Sequence, residues 1–147
     1  MRKKSILSYL LLFASCSALA DVIPEPCLDI HRSIGVSMTD AMINDFGIKA
    51  HDLLLNQTKM TLISKQNVTK KLAELYGHQS YKSIEGNPLK ESDYSDIYRQ
   101  SNAQNIIVEY DYINREHKHN IILASHIIND DECSIRFNGY IIVKREF

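Results

Sequence analysis

Residues 105–146 constrain this chain more than any other stretch. Four runs, 105–112 (NIIVEYDY), 117–128 (HKHNIILASHII), 133–137 (CSIRF) and 140–146 (YIIVKRE), are rich in β-branched and aromatic residues. Such side chains fit a pleated, half-buried surface. Turn clusters bound them at Ile113–Glu116, Asn129–Glu132 and Asn138-Gly139. Asn-Gly between two such runs is the strongest short-range hairpin signal. The pattern predicts a four-stranded antiparallel meander.

A four-residue loop at 113–116 pairs Tyr112 with His117, Tyr110 with His119 and Val108 with Ile121. The opposite face then pairs Asp111 with Lys118, as cross-strand charges prefer. The second turn sets His126 beside Ile135, and the Asn-Gly turn sets Phe137 beside Tyr140. Side-chain alternation then sorts Ile107, Ile122, Ala124, Ile135 and Phe137 to one face. Ile106, Val108, Ile121 and Leu123 go to the other, ending in a cluster of Tyr110, Tyr112, His117 and His119. Both faces are substantially apolar. Helices must cover one, and closure of a curved sheet, a second copy or a partner must cover the other.

Upstream, residues 37–56 read as helical, with Met38, Met42 and Phe46 at helical spacing and Gly47 as an interruption. Residues 58–64 alternate and predict a short strand. Asn67 reads as the N-cap of a helix over Val68–Tyr76, with Gly77 just past its end. Residues 77–104 are polar, with a turn at Gly86-Asn87-Pro88 and one helical turn around Tyr94, Ile97 and Tyr98. They are the candidate lid. Residues 21–29, with Pro24 and Pro26, read as extended. Helices first and strands after predict an α+β domain over 21–147, its sheet curved as in a cystatin or nuclear-transport-factor-2 cone.

Residues 1–20 fall outside that domain. Arg2, Lys3 and Lys4 precede an apolar run from Ile6 to Ala14, and Ala18-Leu19-Ala20 forms an A-x-A cleavage site. This is the layout of a secretory signal peptide, too short to cross a bilayer permanently. Phe13-Ala14-Ser15-Cys16 resembles a lipoprotein box, so a lipid anchor on Cys16 is the alternative to soluble export. Removing the leader takes three of 17 basic residues and none of 18 acidic ones, leaving 127 residues at a net charge of −4. No basic stripe is visible, which argues against nucleic acid as a partner.

Of the three cysteines, Cys16 leaves with the leader, so Cys27 and Cys133 pair by elimination in an oxidising compartment. Their bridge closes a loop of roughly 100 residues.

The candidate chemistry is sparse. His117-x-His119 supplies two imidazoles where a zinc site needs three or four ligands, and Asp130-Asp131-Glu132 lacks EF-hand spacing. There is no G-x-S-x-G, no H-E-x-x-H and no Gly-rich phosphate loop. Asn56-Gln57-Thr58 and Asn67-Val68-Thr69 fit the glycosylation sequon, but the short Lys-rich leader looks bacterial. The expectation is no catalytic residue, no metal and no cofactor, with Tyr110, Tyr112, His117 and His119 as a binding rim for another protein.

Leader, early Cys, helix, antiparallel strands and late Cys together resemble small periplasmic proteins such as the colicin M immunity proteins. The resemblance is one of plan and carries over no residue roles. It implies a non-enzymatic exported binding protein of the immunity or inhibitor kind. The alternatives are an enzyme or small-ligand carrier with a pocket in the concave sheet, and a secreted virulence factor.

Overall fold

A computed structural model describes residues 25–147. The expected leader and residues 21–24 of the stretch expected to be extended lie outside the described residues. The elements run α1 (Ser33–Phe46), β1 (Lys59–Asn67), α2 (Lys70–Ser83), α3 (Glu91–Ile97), β2 (Gln104–Ile113), β3 (His119–Ile128) and β4 (Arg136–Lys144). The fold is α+β: three helices pack with one antiparallel sheet of order β1-β2-β3-β4. Glu25–Leu28 form a 3-10 turn rather than an extended strand.

The fourth strand is not where the hairpin signal put it. β4 runs unbroken through Asn138-Gly139, and the remaining strand comes from 59–67. Pairing shifts between Ser125↔Gly139 and His126↔Phe137, so Asn138 is an extra residue in a β-bulge. Gly139 takes φ 114°, a conformation disfavoured for residues with a Cβ. The bulge is held from the side. Asn138 Nδ2 donates to Ser125 Oγ at 3.0 Å, and Arg136 Nε donates to Asn138 Oδ1 at 3.1 Å.

The β2–β3 register also differs from the expectation. Tyr110 pairs with Ile122 and Ile113 with His119, across a five-residue loop. Asn114 closes that loop: its Oδ1 accepts from Glu116 N and Lys118 N, each at 2.9 Å. His117 has φ 58° there, so it belongs to the turn and not to the strand. The offset is odd, and an odd offset moves one strand's side chains to the other face relative to its neighbour.

α1 covers the face that carries Ile106, Val108, Tyr110 and Tyr112 of β2 with Ile122 and Ala124 of β3. Ile34, Met38 and Met42 recur at helical spacing and are fully buried against it. Beneath the N-terminal end of α1, Cys27 and Cys133 are bonded as expected, 106 residues apart.

α2 runs past Gly77. Thr69 caps it, accepting from Leu72 N at 3.2 Å, and Gly77 is buried inside the helix. A Cβ there would lie 2.7 Å from Ser95 N and 2.8 Å from Ser95 Cα, so Gly77 is where α3 touches α2. The pair covers one end of the other sheet face, where Ala73, Tyr98 and Ala103 bury Ile127. Arg136 ties them down: its guanidinium lies 4.7 Å from the Tyr76 ring centre and donates to Gln79 Oε1 at 2.8 Å.

Two stability predictions follow from this packing. Removing the disulfide, by reduction or by Cys27→Ser with Cys133→Ser, lowers unfolding free energy by about 4–5 kcal/mol in the chain-entropy model. Urea titration with and without reductant measures it. Gly77→Ala forces α3 off α2 and costs about 1–3 kcal/mol, read as a lower urea midpoint.

Candidate functional site

The register decides where the four expected rim residues go. Tyr110 and Tyr112 are wholly buried under α1, with stacked rings 5.9 Å apart. Tyr112 Oη lies 3.1 Å from Thr39 Oγ1. His117 is exposed in the turn. His119 stands on the opposite face, with Nδ1 2.6 Å from Asp111 Oδ1. The structure therefore does not bring the four together, and only His119 stays on the uncovered face.

Tyr110 is instead the polar centre of the core. Its hydroxyl donates to Ile34 O at 3.0 Å and lies 3.0 Å from His126 Nε2. One hydroxyl hydrogen serves one acceptor, so Nε2 carries a hydrogen and donates to the tyrosine oxygen. His126 Nδ1 is then a bare, buried lone pair without a partner among the described residues. Burial holds both tyrosine hydroxyls well above their ordinary range and pushes His126 down to about 4. Nothing in the sequence pattern marked this pair.

The opposite sheet face is the candidate site. Beyond the end capped by α2 and α3, no helix of the described residues covers it. Paired residues place Ile107, Glu109 and Asp111 of β2 there, with Ile121, Leu123 and Ser125 of β3 and Ile141 of β4. Ile141 is 68% exposed. Ser125 sits opposite Gly139, so the two smallest side chains meet and the surface dips. The depression holds about 300 Å³ and is rimmed by Ile107, Leu123 and Ile141.

The polar atoms at its wall are already satisfied. Ser125 Oγ donates to Asn105 Oδ1 at 2.9 Å and accepts from Asn138 Nδ2. What remains is an apolar socket with no free polar group at its wall. Glu109, directly opposite Leu123, is a half-buried residue on the same face, outside the lining of the depression. Among the described residues no cation lies within ion-pair distance of Glu109. The surface is thus apolar around the depression, with Glu109 beside it and with Lys59 opposite Asp111 and Lys144 opposite Ile121 toward the hairpin end.

Other openings lie elsewhere. A cleft of about 630 Å³ beside the disulfide is lined by His31, Arg32, Asp131, Glu132 and Ser134. The expected lid, residues 77–104, forms the end of α2 and the whole of α3. Among the described residues no three His, Cys, Asp or Glu side chains are grouped to hold a metal ion, and no helix is long and apolar enough to cross a membrane. No family model matches the chain, and no curated protein or solved structure matches it.

His126 yields a pH prediction. The unfolded imidazole titrates near 6.5 and the folded one at about 4. Between these values the unfolded chain binds more protons, so stability from this group is full above pH 6.5 and is lost as pH falls toward 4. The total is about 3 kcal/mol. Urea midpoints against pH for the native chain and for His126→Leu should differ in slope over that window. Equal slopes would contradict the assignment.

Proposed function

We propose that this chain is an exported, non-enzymatic protein that binds another protein on the open face of its sheet, as an immunity or inhibitor protein does. One observation carries the reading: an aliphatic-rimmed socket on a sheet face that the chain's own helices leave uncovered. An exposed apolar patch with a polar border marks a protein interaction site. Seating one leucine- or isoleucine-sized side chain in the socket is worth about 1.5–3 kcal/mol of burial. Glu109 favours a partner segment with a basic residue near that anchor.

The scaffold suits the task. The disulfide and the sheet hold the face rigid, so little ordering is required on association. The bridge also fits an oxidising compartment. Together with the leader-like first 20 residues it supports export to the periplasm or medium.

The test uses the purified, disulfide-intact protein as bait against envelope extract, followed by affinity measurement with the captured protein. Glu109→Lys and Ile107→Lys lie on central strand β2 and change the face without touching the sheet edges. Each should weaken binding roughly tenfold or more while leaving the melting temperature within a few degrees. A partner indifferent to both substitutions would overturn the reading. So would a co-purified small molecule held in the cleft beside the disulfide.

A further inference from the structure

The two sulfurs of the Cys27–Cys133 bridge stand in different surroundings. Cys27 lies in the 3-10 turn Glu25–Leu28, is 4% exposed and belongs to the core with Ile30 and Ile34. Cys133 lies in the irregular segment between β3 and β4, is partly exposed, and follows the exposed Asp131 and Glu132. The cleft of about 630 Å³ is lined by Cys133 and not by Cys27. A smaller cleft of about 350 Å³ is lined by both and so lies alongside the bond.

This asymmetry selects a sulfur. A disulfide is opened by a thiolate that attacks one sulfur and expels the other, and access decides which is attacked. The displacement is in line, so the attacker arrives from the side away from the leaving sulfur. Approach to Cys27 from that side crosses the buried residues packed about it. Only Cys133 adjoins a cleft that Cys27 does not share. The segment that carries Cys133 is also held without the bond. Asn129 N donates to Glu132 O at 2.9 Å, and Asn129 Oδ1 accepts from Glu132 N at 2.7 Å. Ile135 N donates to Ile127 O at 2.8 Å. Opening the bond therefore leaves Cys133 tethered at the cleft wall.

We propose that Cys133 is a thiol-exchange site, reached by a small thiol from the larger cleft while the chain stays folded. The cleft falls in the volume range that takes small molecules. The thiolate sulfur bonds to Cys133 Sγ as the Cys27–Cys133 bond breaks. Cys27 Sγ leaves with the electron pair and takes a proton from solvent. The product is a mixed disulfide on Cys133 and a buried thiol on Cys27, with no net oxidation or reduction. A second thiolate then attacks the external sulfur of the mixed disulfide and frees Cys133 as a thiolate. Two external thiols are thereby oxidised to a disulfide and the protein bridge is reduced. The covalent closure of the fold is in this way a reversible modification, set by the thiol poise of the compartment. The inference rests on the bridge and not on the binding role of the sheet face.

The test treats the purified, disulfide-intact protein with reduced glutathione in the absence of denaturant. The reaction is quenched with acid, the free thiol is blocked with an alkylating reagent, and peptide mass mapping locates each group. Glutathione should be found on Cys133 and the alkyl group on Cys27, at least tenfold over the reverse arrangement. The rate of bridge opening should rise in proportion to thiolate concentration. Equal adducts, or an excess on Cys27, would overturn the proposal. So would a rate that levels off as glutathione is raised, because opening of the fold would then come first. In a second measurement Cys27→Ser and Cys133→Ser are treated separately with glutathione disulfide. The thiol of the first should react at least tenfold faster than that of the second, and the two rates should converge in urea. Circular dichroism checks that both variants are folded, and the mapping on the native chain decides alone where either is not. Partner capture is measured on the oxidised chain without added thiol, so its outcome is separate.

Discussion

The arrangement of this protein turns on one side chain in one loop. Asn114 is nearly buried and is clamped by its neighbours: its backbone N donates to Lys118 O, and its Oδ1 accepts two amides of the same loop. That fixes a five-residue connection and with it the β2–β3 register. The register determines which β3 residues stand behind Tyr110 and Tyr112. The aromatic pair therefore meets Ile122, Ala124 and His126 under α1, and the Leu123 and Ile121 row faces away. A loop shorter by one residue would invert that relation, since strand side chains alternate with a period of two. The buried Tyr110 hydroxyl then joins α1 to the sheet through Ile34 O.

The Asn138-Gly139 bulge is the second decision. Closed as a two-residue turn, this dipeptide would have ended one strand and begun another. As a bulge it leaves β4 continuous, and the missing strand comes from upstream at 59–67. The choice follows from partners a local pattern does not contain. Asn138 finds Ser125 and Asn105 on adjacent strands, and Arg136 finds Tyr76, Tyr98 and Gln79 on or beside the helices. A hairpin at 138–139 would forfeit these contacts. The same bulge places Gly139 opposite Ser125 and so produces the socket.

These two features explain what was legible in the sequence. The α+β class, the positions of β2 and β3, the interruption at Gly47 and the Cys27–Cys133 bridge follow from composition, periodicity and counting. Each is a local or arithmetic property. The register is not, because alternation along a strand reads the same whichever neighbour it faces. Tyr110 and Tyr112 therefore look like rim residues until Asn114 fixes the loop. Gly77 reads as a helix end because its signal resembles a C-terminal glycine, yet it serves the approach of α3. Of the expected rim, His119 lies on the open face, but through a register that the sequence pattern does not contain. Glu109 and Ser125 were not legible, because their importance comes only from what stands opposite them.

The distribution of apolar surface sets a final constraint. Three helices must serve a sheet whose two faces are both rich in isoleucine and leucine. α1 covers one face along its length, and the short α2–α3 pair covers only the end at Ile127. Polar side chains are spread unevenly as well: lysines lie on β1 and the Asp111–His119 pair lies at the hairpin end, while Ile141, Ile142 and Val143 stay exposed. A small domain with spare helix would bury this surface internally. Here the surplus is concentrated on one face and one edge, next to a rigid bulge. On the proposed reading, holding that surface in fixed geometry lowers the cost of association, because the entropy of ordering the contact is already met by folding.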